Sequence, residues 1–575
     1  MGHGSSRAEC GRDCGNDTNP AYVVRSVISA EEGTLPILTG DFAGPPVLSP
    51  NGKVLAFSAA GEQGSVLLWV RPLSEIHARA LVGTEGATFP FWSADSRAVG
   101  FFSGGKLKTV SADGGMPSEV CDAPSGRGGS WSADGIIVFS PDFQNPLLQV
   151  PASGGTPKPA TVIDTSKHDS HRWPYFLPDG KHFLYLAVTH RNTRDPNDGI
   201  YFASLDGKEN HLVMRAFTNA VYAGGRLLFI RDNALVVQPF DATSGKVNGE
   251  VQRLAEDVLI DRTVWRAQFD ASAAMLTYAS GGPMPWQAMW YDRIGKKLGT
   301  AGEKVTNLLS LRLSRDGSRL ATEAGDANGD IWIYDFKRQV NTRLTFGPGA
   351  SSSPVWSPGG EWIAYVGTRG KNSLYRKASN GVGQEEMLLE GDAGLRNPLD
   401  WSPDGKFLLF GEGDGTAKSQ LFLLPLAGDR KAAPLTQNTF VASTGTFSPD
   451  GHWLAYSSNE SGRFEVYVMP FGGGSGKWQI SSTGGLHPMW RHDGKDLFFW
   501  SPNNDLMSVS LALKPGLVEV GTAHTLFRFN NPVGNVGIIS PYDVNPDGQR
   551  LVLITTPETP RPIALVVNWA TALKN

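Results

Sequence analysis

An all-β fold of tandem β-propellers with four-stranded blades follows from three observations. A turn motif recurs about twelve times, strands of alternating polarity flank it, and the composition is rich in Gly, Pro and aromatic residues. The chain has 575 residues, with Gly 68, Pro 38, Trp 16 and Phe 28. Gly and Pro together make about 18%, against roughly 12% in average usage, which predicts many turns between short strands. Hydrophobic residues at 40% allow a large core and exclude general disorder. A net charge of −4 lacks the basic excess of a nucleic-acid or anionic-membrane surface.

The clearest turns are Trp401-Ser402-Pro403-Asp404-Gly405 and Phe447-Ser448-Pro449-Asp450-Gly451. Looser copies are centred on Pro50, Ala94, Ala133, Pro178, Arg315, Pro358, His492 and Pro546, with degenerate ones near Gly224 and Asp270. Pro presets φ for the first corner, Asp bonds back to the local backbone, and Gly takes the left-handed position that closes the hairpin. Alternating segments such as Lys406–Phe410 and His452–Tyr456 read as half-buried second strands. Third strands follow, as in Asp330–Tyr334 and Glu465–Val468, and short outer strands such as Arg343–Thr345 end each unit. Helical periodicity is essentially absent.

The spacing is about 45 residues per unit, the period of a four-stranded propeller blade. Twelve blades exceed the ~4–8 of usual rings. The economical arrangement is six plus six, with one oversized ring or a five-plus-seven split as alternatives. The expected organisation is a disordered tail over 1–21, a first propeller over 22–300 and a second over 301–575. An open propeller leaves sheet edges unpaired. The spare β segments Tyr22–Ile28 and Ile563–Trp569 are therefore expected to pair. Trp92, Trp131, Trp356, Trp401 and Trp490 share one phase, just before the turn, and are expected to pack between neighbouring sheets.

Several stretches resemble known propeller repeats. They are Gly83–Ala87, His171-Arg172-Trp173-Pro174, Trp290–Arg293, Asp330–Asp335, Tyr456–Val468 and Val566–Trp569. The chain resembles the bacterial TolB-like, WD-like repeats, and most closely the propeller that follows the catalytic domain in some bacterial receptor-type serine/threonine kinases. The resemblance covers about residues 22–575. It implies a sensor or interaction module binding a protein or peptide partner, because the kinase's His-Arg-Asp loop, Asp-Phe-Gly and phosphate-cradling Gly loop are missing. Gly472–Lys477 lacks the spacing and the Ser or Thr of a phosphate loop and reads as a hairpin. No Gly-x-Ser-x-Gly nucleophile elbow occurs.

The binding surface is expected at the channel mouth on the side opposite the repeat turns. There the loops leading into the innermost strands contain His171, Arg172, Arg266, Arg396, Asn397 and His487. Arginine suits this role because its guanidinium fork donates bidentate bonds to carboxylates and peptide groups. The alternative is a propeller lyase or hydrolase using His168, Asp169 and His171, with a divalent metal. Otherwise no cofactor is expected. Asp326–Asp330 and Asp195–Gly199 have oxygen ligands at calcium-loop spacing but lack the glutamate at position twelve. Cys10, Cys14 and Cys121 cannot form a disulfide framework, and Cys10 and Cys14 with His3 lack a fourth metal ligand. Neither a signal peptide nor a spanning helix is apparent, so the chain as given reads as soluble, without membrane insertion. That places it in the cytoplasm, or outside it if it follows the family it resembles.

Overall fold

The repeat turns form as their chemistry predicts. In the computed structural model Ser402 Oγ donates to Asp404 Oδ1 (2.7 Å), and the Phe407 N–H donates back to Ser402 Oγ (2.9 Å). Gly405 closes the turn at φ +76°, a region that favours glycine. The same bonds recur at Ser314 with Asp316 and Arg319, and at Ser93 with Asp95 and Ala98. Each turn joins an innermost strand to the second strand of its blade. The structure describes residues 22–573 apart from 32–33, 41–42, 62–64, 190–195, 262–263, 281–284, 304, 307, 326–328, 348, 370, 392–394, 414–418, 437–438, 503, 515, 530–539 and 556–560. The expected tail over 1–21, with Cys10 and Cys14, lies outside the described residues.

Among the described residues the strands form eight four-stranded and four five-stranded antiparallel sheets, plus a two-stranded ladder. The only helix among the described residues is a 3-10 turn, Trp569–Ala572. The innermost strands of blades 1–6 are Val47–Leu48, Thr88–Trp92, Gly129–Trp131, Ser170–Phe176, Val221–Ala223 and Phe269–Ala271. Neighbours touch in that order and the last returns to the first, with blades 4 and 5 joined by the Tyr175 hydroxyl donating to the Tyr222 carbonyl (2.9 Å). Blades 7–12 start from Ser310–Leu313, Ser351–Trp356, Leu395–Trp401, Ala442–Phe447, Leu486–Trp490 and Tyr542–Val544, which close a second cycle. The fold is a pair of β-propellers.

Both rings close with strands from distant parts of the chain. In blade 6, Ile563–Val567 lies between Met275–Ala279 and Val24–Ile28 and pairs with both along its whole length. In blade 12, Pro285–Asp292 pairs with Arg550–Thr555, and Lys297–Thr300 adds the outer strand. The division at residue 300 therefore needs correction. Residues 285–555 make the second ring, inserted between the second and third strands of the first ring's closing blade. The physical reason is edge pairing, since each ring buries its last open edge with a strand brought from the other end of its segment.

Interfaces between blades repeat one pattern. Trp92, Trp356 and Trp490 donate their indole N–H to the preceding blade's innermost strand, at Val47 O (3.1 Å), Arg312 O (3.0 Å) and Thr446 O (3.2 Å). In the opposite direction, Asp270, Asp400 and Asp543 accept the backbone N–H of Leu48, Phe447 and Leu313 in the following blade, at 2.7, 2.7 and 2.8 Å. Ser130 does the same for Phe176 (2.9 Å). Trp92, Trp356, Trp401 and Trp490 are buried as expected, whereas Trp131 is only partly buried and borders the first channel.

Candidate functional site: the two channels

The innermost strands do not run straight to the axis. Phe89, Trp173, Ser353 and His487 each precede a proline and adopt positive φ, between +44° and +55°. At each the ladder register shifts, as in a β-bulge. Left-handed backbone is uncommon for such residues, and bulges re-aim side chains. Here the four side chains border the channels.

In the first ring the bulges build a floor. The rings of Phe89 and Trp173, from blades 2 and 4, meet edge to face at 5.0 Å, and the guanidinium of Arg266, in the segment leading into blade 6, lies 4.8 Å from the Trp173 ring centre. Gly128 admits this packing, because a Cβ there would sit 2.6 Å from Trp173. Above the floor is a chamber of about 360 Å3, walled by Phe91, Trp131, Tyr175 and Tyr222, that reaches the repeat turns at Pro50, Ala94, Ala133 and Pro178. Its charged wall residues are Arg266 and Asp270. Burial pushes the Asp270 carboxyl up to about 6, against the backbone N–H groups and Arg266, which pull it down. Burial likewise lowers Arg266 to about 10.

The second channel is obstructed. Arg312 reaches across it, donating to Leu399 O (2.7 Å) and contacting Met489 Sδ (2.9 Å). It separates a pocket of about 20 Å3 on the lead-in side from one of about 160 Å3 on the turn side. Arg315 then bridges the turn-side mouth to Pro449 O (2.6 Å), three blades away. Asp400 and Asp543 border the larger pocket, and burial raises both carboxyls above the usual range while Arg312 opposes the rise.

Of the six residues expected at a lead-in-side rim, Arg266 alone faces the large chamber. His171 is buried, with Nδ1 2.8 Å from Thr161 Oγ1, and burial pushes its ring down to about 3. Arg172 is among the largest fully buried side chains; it donates to Ser170 Oγ (2.7 Å) and Phe143 O (3.0 Å) and stacks on Trp265. Arg396 pairs with Glu412, and Asn397 accepts weakly from Ser353 Oγ (3.4 Å). His487 is buried beside the 20 Å3 pocket, its ring pushed down to about 3 by burial and by Arg312. His171, Arg172, Arg396 and His487 are thus buried: the bulges turn the lead-in segments inward, and both larger cavities reach the turn side.

In the histidine loop the rings of His168 and His171 meet edge to face at 5.8 Å. His168 Nε2 lies 3.0 Å from Asn197 O and 3.3 Å from the Tyr201 hydroxyl, while Asp169 accepts from Thr189 Oγ1 (2.8 Å). Among the described residues no three His, Cys, Asp or Glu side chains group as a metal site. Asp195 and 326–328 of the calcium-like loops lie outside the described residues. Asp330 is engaged by Arg343 (2.6 Å) and Thr345 (3.0 Å), and Asp198 by the Thr189 N–H (2.7 Å). Gly472–Lys477 links two paired strands, and Lys477 bonds Glu460. Burial pushes the Cys121 thiol up to about 11, away from reactivity at neutral pH.

One buried carboxyl that the sequence did not single out is Glu323, which accepts from Ser310 Oγ (2.9 Å) and the Ser353 N–H (3.2 Å). Burial pushes it up to about 7. A carboxyl raised on folding stabilises at acid pH, and that contribution is lost as pH rises through the folded value. Glu323→Gln is therefore expected to match the parent near pH 4 and to exceed it by roughly 2–3 kcal/mol at pH 9. Urea midpoints across that range check this; parallel pH profiles would contradict it.

The sheets and channels thus define a β-propeller protein with one accessible channel chamber and one obstructed one. No family model matches the chain. Among curated proteins it is similar to the uncharacterized peptidase YuxL of Bacillus subtilis (strain 168), 28% identical over 228 residues, 30% of this chain and 34% of that protein. It is similar, too, to the uncharacterized protein Atu1656 of Agrobacterium fabrum (strain C58), 28% identical over 153 residues, 26% of this chain and 47% of that protein. The matches thus span about a third and about half of those relatives' lengths. Among solved structures, the putative TolB from Agrobacterium tumefaciens gives TM-score 0.37 at 18% identity, covering 48% of this chain and 99% of that one. The tricorn protease gives TM-score 0.31 at 11% identity, covering 84% and 59%. TolB from Acinetobacter baumannii gives TM-score 0.31 at 15% identity, covering 58% and 80%. No helix among the described residues is long and apolar enough to cross a membrane.

Proposed function

We propose that the chain is a non-catalytic interaction module that receives a protein or peptide segment at the turn-side mouth of the first channel. The observation that carries this reading is the 360 Å3 chamber, walled by aromatic side chains and reaching the repeat turns, while Arg312 and Arg315 obstruct the second channel. A concave, largely apolar site with a few polar groups, built on rigid strands, is the usual form of a binding pocket. The resemblance to kinase-associated propellers supports a sensor or scaffold role for that binding. The rival reading, a metal-dependent lyase or hydrolase, has less support because His168, Asp169 and His171 are engaged with different partners.

Selection of peptides on the immobilised chain tests the proposal. Selected peptides are expected to lose at least tenfold in affinity on Trp131→Ala and to be unaffected by Arg315→Ala. Binders insensitive to Trp131 but weakened at Arg315 would move the site to the second ring. The chain is also expected to show no saturable ATP binding at micromolar concentration. Saturation there would contradict a module without phosphate chemistry.

A further inference from the structure

Among the described residues Arg266 is the one cation on the wall of the first chamber, and its Nε is buried without an acceptor. The guanidinium lies over Trp173, a contact that holds the plane but satisfies no N–H. Asp270, the one carboxylate on the same wall, is otherwise engaged, because Oδ2 accepts from the Leu48 N–H (2.7 Å) and Oδ1 from the Ala271 N–H (3.0 Å). It acts on Arg266 through space. Leaving a buried charged donor without an acceptor is costly, and the fork geometry of a guanidinium matches a carboxylate. The rest of the chamber offers aromatic faces at Phe89, Phe91, Trp131 and Tyr222.

From this juxtaposition we infer that the first chamber binds a carboxylate joined to an aromatic or aliphatic body, with Arg266 as the anchor and the aromatic wall holding the body. The carboxylate comes from the last residue of a peptide or from a free aryl-alkanoate. The inference rests on the binding role proposed for this chamber and adds the chemistry of its ligand. The chamber volume lies within the ~300–1,000 Å3 of small-ligand pockets. Arg266 lies at the floor, so a bound chain would enter end first, terminus inward, and not lie across the mouth.

Calorimetric titration of the full chain with three probes tests this. The probes are the peptide Gly-Ser-Gly-Phe with a free carboxylate, the same peptide amidated, and 3-phenylpropionate. The free-acid peptide is expected to bind at least tenfold more tightly than its amide, and Arg266→Gln to remove that difference while Arg266→Lys keeps part of it. The acid–amide comparison uses the unaltered protein, so it stands even if a variant folds poorly. Binding of 3-phenylpropionate alone would support the carboxylate site and assign it to a free small molecule. Equal binding of acid and amide overturns the carboxylate anchor while leaving the chamber a peptide site. Failure of all three probes overturns the inference, and the binding role then stands or falls on the peptide selection.

Discussion

Removal of residues 563–575 is expected to unfold the first ring and leave the second intact. Ile563–Val567 is the third strand of blade 6, and among the described residues Val24–Ile28 pairs only with it. Its side chains alternate between two interfaces, as strand geometry requires. Ile563 and Leu565 pack with Leu48, Leu55 and Phe57 of blade 1, while Val566, with Trp569 just beyond, packs with Leu228 and Leu235 of blade 5. Burying each such side chain contributes about 2 kcal/mol, so losing four of them approaches the 5–15 kcal/mol that separates folded from unfolded domains. Residues 285–555 carry their own closing strands and should still unfold cooperatively. Scanning calorimetry should therefore lose one of two transitions. Trp569→Ala is the milder test, because it removes a buried indole that donates to Ser272 O (3.0 Å). It should cost about 3–5 kcal/mol in the same transition. An unchanged truncation profile would mean that this strand does not close the ring.

Arg312→Met should destabilise the second ring most at alkaline pH. Asp400 and Asp543 share the channel with Arg312, and the charge of Asp400 further raises Asp543. Both carboxyls are already raised by burial, so their ionisation in the fold is opposed, and stability is lost as pH rises through their folded values. Arg312 opposes that rise, and removing it leaves two desolvated carboxylates facing each other without a cation. Breaking one side of such a group typically costs about 3 kcal/mol. We expect that loss near pH 8, shrinking towards pH 4 as the carboxyls take up protons. Adding Asp400→Asn and Asp543→Asn should recover most of it. A loss that is the same at both pH values would show that Arg312 acts through packing alone.

Much of this architecture is legible in the sequence because turn chemistry and strand polarity are local. Ser402, Asp404 and Gly405 announce their turn, and the phase of Trp92, Trp356 and Trp490 announces the packing between blades. Strand partners are not local, so Pro285–Asp292 reads as the end of the first ring although it pairs with Arg550–Thr555. The burial of the lead-in residues is not legible for a related reason. Charged residues in lead-in loops look solvated, yet the bulges turn Arg172 and His487 inward. One signal was present: Pro90, Pro174, Pro354 and Pro488 each stand three residues before the first residue of a repeat turn, marking the residue that is re-aimed.

Amide hydrogen exchange of the full chain, with and without a selected peptide at saturation, tests the central claim most directly. A partner seated in the first chamber should slow exchange in Thr88–Trp92, Gly129–Trp131, Ser170–Phe176 and Val221–Ala223, and leave Ser351–Trp356 and Leu486–Trp490 unchanged. Protection confined to the second ring, or to outer strands of either ring, would contradict it.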